Sequence, residues 1–126
     1  MWGRGVPVRL TFELPLPPRL DASGWGGHWR KKHEAKKKYW DLLDTLVTVR
    51  RLPRPLARWP KVQGTAEVRT CPIMDEDNAY RRLKWVWDWL QSRGYLVNDR
   101  EVRCKVTPVA SKRKEQGITL TIEPAA

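Results

Sequence analysis

Three carboxylates pose the chemical question in this chain. Asp75 and Asp77 stand one residue apart where an extended run stops, and Asp99 lies just beyond Gly94. A hard divalent cation such as Mg²⁺ takes oxygen ligands, often one or two protein carboxylates, and completes its shell with water and substrate phosphate. Side chains on an extended segment repeat their direction every two residues, so Asp75 and Asp77 would point the same way. Asp99 would reach the same place if the chain folds back beyond Gly94. A lysine beside such a site steadies a phosphate or a developing negative charge, and Lys84 is placed for that role. The plainer reading is that Asp77 or Asn78 caps a helix and the other acids are solvated. Spacing alone leaves both readings open.

The element that must position these groups is a helix from Asn78 to Arg93, capped at its start and stopped by Gly94. At ~100° per residue, Ala79, Leu83, Val86 and Leu90 share one face, flanked by Tyr80 and Trp87. Asp77, Lys84 and Asp88 fall on a second stripe. Trp85, Trp87 and Trp89 alternate as a strand would, but the helical pattern is much longer and decides the reading. In that helix Trp85 and Trp89 lie away from the Leu83 face and must cover either a second subunit or another part of the chain. We assign them to a dimer interface.

The bounds are those of one domain spanning residues 1–126. Formal net charge is +11 and the pI about 10.2, an argument for a polyanionic partner, nucleic acid first and an anionic membrane surface second. Two cysteines, Cys71 and Cys104, are too few for a disulfide framework or a CxxC zinc site. His28 and His33 are five apart, a poor spacing for zinc on a helix. With no signal peptide and no long apolar run, a cytoplasmic setting and no membrane span are the expectation.

Val6 to Leu14 alternates as a half-buried strand and ends in Pro15, Pro17 and Pro18. Arg19 to Trp29 is a glycine-rich loop whose Trp25, His28 and Trp29 either touch substrate or close the edge of the core. Arg30 to about Arg51 is a helix with Tyr39, Leu43, Leu46 and Val47 at apolar spacing. Its first half carries Arg30, Lys31, Lys32, Lys36, Lys37 and Lys38. Such a run is commonly a solvated face, but here few acids balance it, which points to phosphate gripping. Leu52 to Pro60 is a connecting loop, Val62 to Cys71 a second strand, and Val102 to Thr107 a third. A turn holding Lys112, Arg113 and Lys114 leads to a last strand through Ile118, Leu120 and Ile122, read as a hairpin with the third. The fold expected is α+β, in the order β-α-β-α-β-β, with a mixed sheet and helices packed against it.

The set Asp75-Glu76-Asp77-Asn78, then Lys84, Asp88, Leu90, Gly94, Asn98-Asp99 and Val102, resembles the RusA-like Holliday-junction resolvases, metal-dependent endonucleases of bacteria and their phages. The likeness covers roughly Val62 to Ile122 and extends more loosely to Leu14-Pro15-Leu16-Pro17-Pro18. A lone DxDN is weak; the ordered set is much stronger. The resemblance implies that Asp75, Asp77 and Asp99 bind Mg²⁺, with Mn²⁺ an alternative, and that Lys84 is the catalytic lysine. It also implies a homodimer that nicks opposed strands of branched DNA, four-way junctions first. Two departures stand out. Asn98 precedes Asp99 where many relatives have a second aspartate, and the Asp77 to Lys84 gap is longer by about one helical turn.

The implied reaction is phosphodiester hydrolysis in which metal lowers the pKa of a bound water and stabilises the leaving oxygen. Basic groups on the first helix and the Lys112–Lys114 turn would hold DNA through phosphates. A catalytically silent basic DNA-binding protein is the rival from another class, and a nuclease for other branched DNA remains within the enzyme class. A Ca²⁺ loop starting at Asp75 fails, since its sixth position is Tyr80 and its twelfth Val86.

Overall fold

The computed structural model describes residues 9–18, 29–49, 52–55 and 57–125, with only the backbone of Trp29. The beginning of the first strand, the Trp25 and His28 loop, and the last residues of the basic helix lie outside them.

Alternation becomes structure in each strand. Leu10, Phe12 and Leu14 of β1 (Leu10–Leu14) point inward, while Thr11 and Glu13 face out. The helix α1 (Trp29–Thr48) follows, then β2 (Val62–Thr70), whose Val62, Ala66 and Val68 are buried. The chain next forms α2 (Glu76–Arg82) and α3 (Lys84–Ser92), a 3₁₀ turn at Asp99–Glu101, β3 (Val102–Ala110), a second 3₁₀ turn at Arg113–Glu115, and β4 (Gly117–Pro124). The inner rows of the strands meet Tyr39 and Leu43 of α1 and Ala79, Leu83, Val86 and Leu90 of α2 and α3 in one core. The other sheet face is polar, with Gln63, Thr65 and Glu67 of β2 and Arg103, Lys105 and Thr107 of β3 exposed. The result is one α+β domain with a mixed four-stranded sheet under helices, as the sequence pattern implies. Among the described residues, no helix is long and apolar enough to cross a membrane.

Two elements differ from the expectation. The sheet order is β1-β4-β2-β3, so β3 and β4 are not a hairpin. β3 instead pairs parallel with β2, Val62 opposite Val102 through Thr70 opposite Ala110. β4 pairs antiparallel with both β2 and β1, and its Ile118, Leu120 and Ile122 are fully buried. The 3₁₀ turn lets the chain step past β2, with Ser111 N–H donating to Thr70 O and Cys71 N–H to the Gln116 side-chain oxygen. A wholly apolar inner row gains most where strands flank it on both sides, and that favours the central slot.

The predicted single helix is two helices broken at Leu83. Leu83 N–H bonds Tyr80 O at 3.1 Å, a 3₁₀ turn tighter than the α-helix it interrupts. Neither Gly nor Pro stands there. Arg82 donates to Pro17 O at 2.8 Å while Leu83 is fully buried, so neighbouring residues are tied to different parts of the chain. Gly94 ends α3 at φ 87°, the left-handed region that favours glycine.

At Gly64, β2 passes so close to β4 that any Cβ would collide with the Thr121 carbonyl oxygen. Backbone cannot yield as a side chain can, so Gly64→Ala should destabilise the fold by about 3 kcal/mol. Urea denaturation checks this, and a variant as stable as the parent would contradict the close approach.

Candidate functional site

Lys84 opens α3 and lies at the centre of the acidic site. Its Nζ donates to Asp88 Oδ1 at 3.0 Å and to Asp99 Oδ2 at 3.0 Å. Lys84, Asp88 and Gln91 occupy positions i, i+4 and i+7, one stripe of the helix. The first contact is therefore local, and the second spans fifteen residues of chain.

Asp99 is brought there by the way the chain leaves α3. Past Gly94, Tyr95 is buried, and its hydroxyl donates to Pro53 O at 2.7 Å. Leu96 bridges Trp59, with Trp59 N–H to Tyr95 O and Val97 N–H to Trp59 O. Gln91 Oε1 then accepts Asp99 N–H at 2.8 Å, and Asn98 caps the following 3₁₀ turn by accepting from Arg100 N–H. Burial lifts the Tyr95 phenol to about 12, so it stays a neutral donor through the physiological range.

Asp75 has a different task. Its Oδ1 accepts Asn78 N–H at 2.8 Å and its Oδ2 accepts the Asn78 side-chain amide at 3.2 Å, making it the N-cap of α2. Asp77 lies exposed in the first turn of that helix. The cap is thus Asp75, not Asp77 or Asn78. Asp75 follows the C-terminal end of β2 and Asp99 precedes the N-terminal end of β3, and in a parallel pair those are opposite ends. The break at Leu83 removes the continuous helical phase that set Asp77 beside Lys84 and Asp88.

The donor chemistry of Asp75, Asp77 and Asp99 suits a hard cation, but the arrangement does not gather it. Among the described residues, no three or more His, Cys, Asp or Glu side chains come close enough to hold a metal ion. Asp99 has the Lys84 ammonium as its cation instead.

The tryptophans assigned to a dimer interface have another function. Trp85 and Trp89 are 3% and 1% exposed within the single chain. α1 covers them: Trp40 Nε1 donates to Trp85 O at 3.1 Å, and Trp89 Nε1 donates to Asp44 Oδ1 at 2.9 Å. Of the two surfaces they were expected to cover, the structure selects another part of this chain. Trp85 and Trp89 are therefore core residues of the single chain, a correction to their assignment as interface residues.

The basic residues divide. Arg30, Lys31, Lys32, Lys37 and Lys38 are exposed along α1. Lys36 is half-buried, with its Nζ 3.1 Å from Asp88 Oδ2 and 4.9 Å from the centre of the Trp40 ring. Lys112, Arg113 and Lys114 are exposed in the turn before β4. That turn bonds the last residues of β2, which places it at the same sheet end as Asp75. Gln91 and Asp44 had no place in the sequence-level site, although the i, i+4, i+7 spacing already put Gln91 on the Lys84 stripe.

The Lys84 hydrogen bond is the largest influence on Asp99 and holds its carboxyl below the usual range, against the opposing effect of burial. Asp99 first and Asp88 second raise Lys84. Lys84 is 61% exposed, so solvent screening leaves the pair worth little as stability; what it supplies is position. The signs follow from linkage. The carboxylate's contribution is present above about pH 4 and is lost as pH falls through Asp99's lower value. The ammonium's contribution is full below about pH 10.4 and is lost as pH rises through Lys84's higher value. In a ¹³C NMR titration, Asp99 should therefore protonate at lower pH than an ordinary aspartate, and Lys84→Met should move its midpoint upward. An Asp99 midpoint that ignores Lys84→Met would refute the ion pair.

In comparisons with known proteins, no family model matches this chain and no curated protein matches it.

Proposed function

We propose that the chain is a divalent-cation-dependent endodeoxyribonuclease for branched DNA, four-way junctions first, acting as a homodimer in the cytoplasm of a bacterium or phage-infected cell. One observation carries the reading: the Lys84 ammonium bonds two carboxylates, Asp88 and Asp99, the second from a distant segment. Asp99 and Lys84 belong to the ordered set that resembles RusA-like resolvases, and they meet in space. The resemblance assigns Mg²⁺ or Mn²⁺ to Asp75, Asp77 and Asp99, and to share one cation they would have to draw together from the separated positions described above. When bound, the cation supplies Lewis-acid chemistry at a phosphodiester.

The chain's own groups would do the rest. Lys84 offers a fixed positive charge beside the acids, suited to a phosphate oxygen once a substrate competes for it. Exposed Lys31, Lys32, Lys37 and Lys38 on α1, with Arg30, would grip backbone phosphates without reading bases. The Lys112–Lys114 turn would add a second grip at the Asp75 end of the sheet. Junction selectivity would then come from shape and from the spacing of two sites in a dimer.

A second reading has its own support. Asp75 is used as a helix cap and the three acids are not gathered, as a catalytically silent DNA-binding protein would allow. Asp75→Asn separates the two, because asparagine caps a helix about as well as aspartate. If Asp75 only caps, the substitution changes little. If it serves catalysis, junction cleavage falls about 100-fold or more, while junction binding holds or tightens as a negative charge near the phosphates is removed. Cleavage at the parental rate in Mg²⁺ would refute this motif as the active site.

A further inference from the structure

Lys36 sits within a run of exposed cations and does not share their exposure. Its side chain is 31% exposed, and it is held from two sides. One side is Asp88 Oδ2 at 3.1 Å; the other is the Trp40 ring at 4.9 Å. Trp40 is itself fixed, with its Nε1 donating to Trp85 O at 3.1 Å and the Arg93 guanidinium 5.4 Å from its ring centre. Among the described residues, Lys31, Lys32, Lys37 and Lys38 make no ion pair, whereas Lys36 is paired.

Asp88 uses both its oxygens. Oδ2 takes Lys36 from α1, and Oδ1 takes Lys84 from the start of α3. Lys84 passes the alternation on to Asp99. Four charges of alternating sign, Lys36, Asp88, Lys84 and Asp99, thus run from the basic helix to the acidic site. A carboxylate anchored at one oxygen presents the other in a fixed direction, and a lysine with four rotatable bonds needs two acceptors to hold its ammonium in one place. Lys84 is 61% exposed and has little packing to do that for it.

We infer that Lys36 is a positioning residue for Lys84, acting through Asp88, and not one of the phosphate contacts on α1. The inference rests on the reading of Lys84 as catalytic. It removes Lys36 from the DNA-gripping set and gives Asp88 a role at the site. It also couples the two functions of α1: the helix that meets DNA phosphates holds, one turn away, the strut of the lysine that would meet the scissile phosphate.

The test uses the full chain and a synthetic four-way junction. Lys36→Gln and Asp88→Asn should each lower kcat about 10-fold, with KM changed little, and the double variant should fall no further than the lower single. Lys36→Arg keeps the charge, the donor and the stacking on Trp40, and should recover most of the activity. Lys37→Gln, by contrast, should weaken junction binding and flatten its salt dependence by up to ~0.9 for each phosphate no longer neutralised. Lys36→Gln should leave that slope unchanged. Independently of cleavage, ¹⁵N NMR relaxation of the Lys84 ammonium should show it more mobile in Lys36→Gln than in the parent. A Lys36→Gln protein with parental kcat and a flattened salt slope would make Lys36 a phosphate contact and overturn the inference, leaving the nuclease reading intact. If the parent cleaves no junction, the nuclease reading fails instead. Lys84 mobility then decides alone: a more mobile ammonium in Lys36→Gln supports the strut, and unchanged or reduced mobility overturns it.

Discussion

The seam of side chains between α1 and α3 sets the surroundings of Lys84. Asp44 Oδ1 accepts both the Trp89 indole at 2.9 Å and Arg93 Nε at 2.8 Å, and Oδ2 accepts the second arm of the guanidinium at 2.8 Å. The two-armed contact matches the planar fork of arginine and sets geometry as well as energy. Arg93 is the main reason Asp44 stays well ionised. With Trp85 and Trp89 buried under α1, the opposite face of α3 is free to place Val86 and Leu90 on the sheet. The same seam brings Lys36 over Trp40 and against Asp88, so the electrostatic path to Lys84 depends on helix packing.

Much of this was readable in advance because it has a period. The inner rows of β1, β2 and β4 and the Ala79, Leu83, Val86, Leu90 stripe follow from spacing alone, and Gly94 follows from the helix that it must end. Strand order has no such signature. Ile118, Leu120 and Ile122 would look the same in a hairpin with β3 as in the central slot between β1 and β2, because alternation records one buried face and not the identity of the neighbours. The break at Leu83 also lacks a local signal, since it follows from burial of one residue and a long-range bond from the one before.

The tryptophans illustrate a different limit. Their direction on the helix was legible, but not what lay opposite, because α1 meets them with the Tyr39 ring beside Trp85 and with polar contacts, Trp40 to the Trp85 carbonyl and Asp44 to the Trp89 indole, that carry no periodic signal. The charge run on α1 hid the commitment of Lys36 for a similar reason. Nothing in the string of lysines distinguishes Lys36 from Lys37 or Lys38 until α3 is laid beside it. At the acidic site, the residue types were legible and Lys84 with Asp99 came together, whereas Asp75 went to its helix.

The proposed handling of nucleic-acid backbone rests on a basic helix, a basic turn at the Asp75 end of the sheet and a lysine clasped by two acids, and the central proposal is that the chain also cuts. The most direct measurement is incubation of the full chain with a synthetic four-way junction beside linear duplex of the same sequence, with Mg²⁺ and with EDTA. Paired nicks are expected in opposed strands of the junction, dependent on the cation and absent from the duplex. Tight junction binding with no nicking in either Mg²⁺ or Mn²⁺ would contradict the claim.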